Sequence, residues 1–251
     1  MDFTVEIYTE LLQSLIDKNY TFKTFEEFVE FQGEKTIVLR HDVDLLPHNS
    51  LTFARIQSDF GIKGTYYFRA VPESWDEEII LEISSLGHEI GYHYECLTTT
   101  KGSFEKGIQD FKRNLDKLRT LAPVSTICMH GSPMSKYDSK DLWNHYNYRE
   151  YGIIAEPYFD VDYNTVFYIT DTGRKWDGNG VSVRDKVQTA MEQRYRTTFE
   201  IIDAIDADYF PKKAMFTFHP QRWSDNMLLW SKELVLQNVK NVVKKHFFVK
   251  A

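Results

Sequence analysis

Cysteine is nearly absent from this chain: Cys96 and Cys128 are the two in 251 residues. Two thiols build neither a disulfide framework nor a four-cysteine zinc module, and they fit a reducing compartment. Basic tracts are missing as well. Thirty Lys and Arg stand against 37 Asp and Glu, a formal charge of −7, which argues against nucleic acid as a partner because phosphate backbones need clustered cations. No apolar run approaches the roughly 20 residues of a membrane span. Met1-Asp2-Phe3-Thr4-Val5-Glu6 lacks the basic-then-apolar order of a signal peptide, so a cytoplasmic location with no membrane span is expected. Neither GxGxxG nor GxxxxGK[ST] occurs, which removes the usual glycine-rich phosphate turns. No Pro/Gly/Ser linker divides the chain, so 1–251 reads as one domain, with 1–35 a helical region packed on it.

What is present is an apolar run that stops abruptly in charge: Ile37-Val38-Leu39-Arg40-His41-Asp42-Val43-Asp44. The run reads as a buried strand, and side chains two apart share a face, so Asp42 and Asp44 project together from its tip. Adjacent carboxylates repel unless a cation or a shared proton lies between them, which points to a metal site.

Further strands are expected over 64–68, 89–94, 124–129, 152–155, 166–169 and 214–218, beside the first at 36–43. Helical stretches are expected over 5–17, 25–31, 50–60, 76–86, 104–121, 184–205 and 227–246. Phe104, Ile108, Phe111, Leu115 and Leu118 recur at helical steps, one stripe laid on a sheet. About seven alternations of strand and helix imply an α/β fold with a parallel sheet. Polar residues gather where the apolar runs end: Asp42, Asp44, Arg69, His93, Glu95, His130, Glu156, Asp171 and His219. Loops at the C-terminal strand ends build the sites of parallel barrels, so a (β/α) barrel is preferred to an open, doubly wound sheet.

Arg40-His41-Asp42-Val43-Asp44, Gly64-Thr65-Tyr66-Tyr67-Phe68, Gly87-His88-Glu89-Ile90-Gly91-Tyr92-His93 and Phe216-Thr217-Phe218-His219 resemble, in order and spacing, the motifs of the polysaccharide deacetylases of carbohydrate esterase family four. The resemblance spans about residues 36–220 and is most specific at Gly87–Gly91. It implies a distorted seven-stranded barrel of the polysaccharide deacetylase type, and removal of acetyl groups from N-acetylated sugars. It also implies one divalent ion, zinc first with cobalt or nickel as alternatives, held by an aspartate and two histidines. By the same resemblance Asp42 is the general base, Asp44 the metal aspartate, His93 the first metal histidine and His219 the general acid. The second metal histidine falls at Leu97, which cannot ligate a metal. Glu95, two residues beyond His93, and His130, in Met129-His130-Gly131-Ser132-Pro133, are the two substitutes. His130 also stands where the family has Arg-X-Pro-Tyr, so the arginine that would orient Asp42 is missing there.

Substrate-binding candidates are Arg69; Asp171, Arg174 and Trp176 in one segment after a strand; and Arg222 with Trp223 after His219. Indole faces stack on sugar rings and charged groups bind hydroxyls or anions. His41 and His88 have the wrong strand parity and read as structural, Cys96 and Cys128 as small buried hydrophobes, and His48, His145 and His246 as solvent-facing. The reading is a metal-dependent hydrolase acting on a carbohydrate, by N-deacetylation of an N-acetylated sugar or a glycan biosynthetic intermediate. The alternatives are a barrel that binds a glycan or a partner without catalysis, and a metal hydrolase of a non-sugar amide.

Overall fold

Seven strands join one sheet in the computed structural model, which describes residues 1–176 and 187–247. They are β1 (Thr21–Lys23), β2 (Thr36–Val43), β3 (Thr65–Phe68), β4 (Glu89–Tyr94), β5 (Ile127–Met129), β6 (Phe167–Thr170) and β7 (Lys213–Phe218). Every pairing is parallel. The spatial order is β5-β4-β3-β2-β7-β6, with β1 beside β2. β1 pairs with residues 36–38 of β2 and β3 with residues 40–43, so the two follow one another along one flank while β7 takes the other. Among the described residues β5 and β6 do not pair, and a single bridge from Thr126 to Ala155 extends the β5 edge. The sheet is therefore a curled, open barrel. Around it lie α1 (Val5–Asp17), α2 (Phe25–Glu30), α3 (Pro47–Asp59), α4 (Glu77–Ser85), α5 (Cys96–Thr99), α6 (Phe104–Arg119), α7 (Pro157–Asp160), α8 (Thr198–Asp206) and α9 (Met227–Phe247). No helix of the described residues is long and apolar enough to cross a membrane.

Strand parity sorts the side chains into two surfaces. On β2, Ile37 and Leu39 face outward into a cluster with α1 and α8, and Val43 joins one with α4 and α6. Val38 faces inward with Tyr67, Cys128, Met215 and the α2 residues Phe25 and Phe28. α2 is placed by a capping box at Thr24 and Glu27, and by the Phe25 N–H donating to Thr65 Oγ1 at 2.8 Å. It closes the bottom of the barrel. The inner space is narrow, which explains Gly91: a Cβ there would meet the Tyr67 ring at 2.3 Å. Gly87, at φ +87, ends α4 in the left-handed conformation that glycine adopts freely. His88 accepts the Gly64 N–H at Nδ1 and donates from Nε2 to Ala54 O, a structural role as its parity implied. His41 likewise faces outward, stacked on Tyr66 at 4.1 Å, and burial pushes its pKa down to about 3.

Some elements differ from the sequence expectation. Residues 152–155 make one bridge and no strand, while β1 supplies the seventh. β1 has three residues, too few for an alternating signal to emerge. The helix expected over 184–205 is α8 alone; residues 177–186 lie outside the described residues.

Glu89 opens β4 at the barrel bottom. It accepts hydrogen bonds from Thr126 Oγ1, from Thr65 Oγ1 at 2.8 Å and from the Glu26 N–H at 2.9 Å. Burial outweighs these donors and pushes its pKa from 4.5 up to about 7. A raised carboxyl stabilises the fold fully below the unfolded value and loses that contribution as pH rises through the folded value. The contribution is on the order of 3 kcal/mol. Denaturant unfolding of parent and Glu89→Gln, at about pH 5 and about pH 8, is expected to show the parent losing more stability than the variant over that interval. Equal losses would place the titration elsewhere.

Candidate functional site

β2 ends at Val43, and the Asp44 N–H then donates to Asp42 O at 3.0 Å, a tight turn that keeps the second carboxylate close to the first. Asp42 is held from below. Arg40, two residues earlier and so on the same inner face, donates from Nε to Oδ1 at 2.8 Å and from Nη2 to Oδ2 at 2.6 Å. Such a fork fixes the plane of the carboxylate. Burial would lower the Arg40 pKa, but Asp42 leads the groups that hold it well above its usual value. Arg40 thus supplies from within β2 the orientation that the absent Arg-X-Pro-Tyr motif left open. Its i, i+2 relation to Asp42 was the available signal.

Three imidazoles surround Asp44. His93, inward on β4, has its Nδ1 at 2.9 Å from Cys128 O, across the β4–β5 register. His130, just past β5, has its Nδ1 at 3.0 Å from Glu95 Oε2. His219, just past β7, has its Nδ1 at 2.6 Å from Asp171 Oδ1. Each Nδ1 faces an oxygen acceptor, which assigns it a proton and turns Nε2 toward the cleft. Those three Nε2 atoms converge: His130 lies 3.4 Å and His93 3.7 Å from Asp44 Oδ1, and His219 lies 3.9 Å from Asp44 Oδ2. His93 is neutral, because burial, with His130 next, pushes its pKa well below the usual value. Burial raises the Asp44 carboxyl, yet His130, His219 and His93 together hold it below its ordinary range.

Arginines compensate the other carboxylates of the site. Asp42 has Arg40, Glu95 has Arg69 at 2.7 Å, and Asp171 has Arg222 at 2.9 Å. Among the described residues Asp44 has no arginine; Gln221 Nε2 donates weakly to Oδ2 at 3.4 Å, and Oδ1 is buried with no hydrogen-bond partner there. An anionic oxygen without a hydrogen-bond donor, faced by imidazole nitrogens, calls for a cation. Ligand atoms bound at about 2.0–2.1 Å to a tetrahedral ion stand about 3.4 Å apart, which the Asp44 contacts with His130 and His93 approach. Asp44, His93 and His130 could therefore hold a divalent metal. Among the described residues the one trio whose ligand atoms all lie within 4.8 Å of one another is Asp42, His93 and Cys128, but there the carboxylate already has Arg40 as its cation; Asp44, His93 and His130 would have to draw together around an ion.

Of the two expected substitutes for the missing histidine, the structure turns His130 toward Asp44 and ties Glu95 up behind it. Both Arg69 Nε and Nη2 reach Glu95 Oε1, and Ser132 Oγ joins Oε2. Burial opposes the shift, but His130 and Arg69 hold the Glu95 carboxyl at about 2. Glu95 orients His130 and is not turned toward Asp44.

The substrate-binding expectations are largely redirected. Asp171 is fully buried and spends its oxygens on His219, Arg222 and Trp223 Nε1. Arg222 and Trp223 are accordingly internal supports of Asp171. Trp176 lies on the outer side of the sheet, packed against Phe216 and Phe218 and donating to Thr198 Oγ1 at 2.9 Å. Arg174 sits between the Phe3 and Trp230 rings. Neighbours in sequence to a site residue, these four follow a chain that has already turned away from the cleft. Arg69 alone remains at the rim, half-buried, with Nη1 donating to Asp44 O at 3.1 Å. Sequence reasoning did not single out Ser132, Gln221 or Tyr158, whose hydroxyl accepts from Arg40 at 3.4 Å.

No family model matches the sequence, and no curated protein matches it. Solved structures do. A CE4 esterase from Streptococcus mutans is similar over 92% of this chain and 91% of its own, at 12% identity and a TM-score of 0.47. A family 4 carbohydrate esterase from Bacillus anthracis is similar over 100% of this chain and 92% of its own, at 10% identity and 0.43. A CE4 family pseudoenzyme from the same organism is similar over 84% of this chain and 62% of its own, at 13% identity and 0.45.

Leu97 shows why the strand motif stops short. β4 ends at Tyr94 and α5 begins at Cys96, so the chain leaves strand geometry at Glu95. Leu97 then enters the outer core, where its Cδ2 would meet a Cβ on Gly107 at 3.0 Å. Leu97→His is expected to cost about 2–4 kcal/mol in stability and to leave metal affinity unimproved. A thermal melt and a metal titration of the variant check both; tighter metal binding would mean that this side chain can reach the cleft.

Proposed function

We propose that this protein is a metal-dependent hydrolase that removes the acetyl group from an N-acetylated sugar or a glycan biosynthetic intermediate. The observation that carries the reading is Asp44: a partly buried carboxylate whose Oδ1 is buried without a hydrogen-bond partner among the described residues, faced by three imidazole nitrogens. Asp44, His93 and His130 would hold the ion, zinc by donor type, with cobalt or nickel also compatible with one oxygen and two nitrogens. When bound, a divalent ion there supplies Lewis-acid polarisation of a carbonyl and acidifies a water.

The chain's own groups do the rest. Arg40 uses one lone pair on each Asp42 oxygen, leaving a second on Oδ2, the oxygen 3.6 Å from His93 Nε2. Asp42 is thereby aimed to take a proton from water at the metal position. His219, across the cleft, carries its proton at Nε2 and gives it to the departing amine. Buried Asp171 fixes the ring through Nδ1 and stabilises the imidazolium. Acetamides suit this pair because an amine leaves poorly unless protonated as the bond breaks. The carbohydrate part of the reading rests on the motif resemblance.

Two sets of variants test it. Asp44→Ala, His93→Ala and His130→Ala are each expected to lose stoichiometric zinc, cobalt or nickel, while Glu95→Gln binds about 10–100-fold more weakly, as expected when the partner behind a ligand is lost. Competition with a chromophoric chelator measures this; full metal retention in the first three would place the site elsewhere. Asp42→Asn and His219→Ala are expected to keep metal and lose about a hundredfold or more in turnover. The assay is acetate release from N-acetylated sugars and nucleotide sugars. No release by metal-loaded parent protein would favour a barrel that binds without catalysis.

A further inference from the structure

α9 is amphipathic in the wrong sense for a helix of a water-soluble surface. The residues it buries against the body include Gln237 and Asn241, 4% and 7% exposed. Gln237 donates to Asn241 at 3.0 Å, and Asn241 donates to Gly173 O at 2.9 Å. Most of its described apolar residues point the other way, Trp230 and Leu234 being only partly exposed. Leu228 is 82% and Val235 61% exposed, and Leu229, Leu236, Val239 and Val242 are exposed with them. Apolar surface of this extent on one helix marks an interaction site.

Charge identifies what covers it. The whole chain carries −7, but residues 227–247 hold four lysines (Lys232, Lys240, Lys244 and Lys245) against one acid, Glu233. Lys232 and Lys240 are exposed along with the apolar residues. A helix with an exposed apolar face and lysines, long enough at 21 residues to lie about 30 Å across a surface yet too polar to span, fits the interfacial plane of a membrane. A second copy fits less well: a two-fold contact would set exposed lysines against their own equivalents, with Glu233 the one acid in answer. α9 is fastened at Gly173 and, through Trp230 O, to Arg174, in the loop that follows Asp171 at the site end of the sheet.

We propose that α9 docks this protein on an anionic lipid surface, its exposed leucines and valines entering the interface and its lysines meeting the headgroups. This inference is independent of the catalytic reading. The test is cosedimentation of the full chain with vesicles of phosphatidylcholine alone and of phosphatidylcholine mixed with phosphatidylglycerol. Binding is expected to the mixed vesicles, at least about tenfold weaker or absent on the neutral ones, and to fall about tenfold at about 0.5 M salt, where screening is short-ranged. Val235→Glu/Val239→Glu and, separately, Lys232→Glu/Lys240→Glu are each expected to abolish binding while circular dichroism and the thermal midpoint stay unchanged. The second pair decides the matter if the first alters the fold. No binding to the mixed vesicles, or equal binding to both kinds, overturns the proposal. So does a dimer in light scattering that the valine variant dissolves, which would show a second copy on this face.

Discussion

The site is organised around the charge of Asp44. A partly buried carboxylate at the tip of β2, with one oxygen that has no hydrogen-bond partner among the described residues and imidazole nitrogens turned on it, is unfavourable unless positive charge enters between them. Every neighbouring group is placed as if to keep that position free. Asp42, Glu95 and Asp171 each meet an arginine, so none competes for the incoming cation. Each histidine is pinned through Nδ1, so none can rotate to donate to Asp44 from that nitrogen. The cleft is nearly neutral everywhere except at the atom where a metal would bind.

That arrangement depends on the parallel sheet. Parallel strands that start together also end together, so inward side chains of β2, β4, β5 and β7 reach one rim from positions far apart in the chain. The same parity fills the level below with Val38, Tyr67, Cys128 and Met215, and the bottom with Glu89 and its threonines. A fixed floor matters to the rim: the Arg40–Asp42 fork is buried just above Tyr67, whose ring lies 6.0 Å from the guanidinium. Arg40 therefore cannot swing away without opening a packed interior.

Parity and spacing made much of this legible in the sequence. The Asp42 and Asp44 pair, the inward His93 and the outward His41 and His88 all follow from counting along a strand. His130 was one of two candidates, since nothing in a sequence shows that β4 ends at Tyr94 and that the turn at Glu95 sends Leu97 outward. Arg40 went unread for a different reason: a basic residue inside an apolar strand draws attention to the motif it precedes, although its i, i+2 relation to Asp42 was visible. Arg174, Trp176, Arg222 and Trp223 were placed by proximity to site residues along the chain. Proximity fails there because the loops after β6 and β7 return to the outer layer, where Trp176 and Trp223 pack with Phe3 and Phe218. Aromatic and cationic types alone do not distinguish a sugar platform from an outer core.

What lies behind each ring separates the histidines that strand parity brings together. His93 leans on a neutral carbonyl, and burial holds it neutral, as a ligand must be. His219 leans on Asp171, itself braced by Arg222 and Trp223, so a proton on its far nitrogen meets a prepared counter-charge and the ring can pass that proton on. His130 has a carboxylate too, but Glu95 is bound closely by Arg69, which draws off part of its negative charge and leaves mainly its orienting role. The proposed acid and the proposed ligands thus differ less in residue type or distance to Asp44 than in the group held against Nδ1.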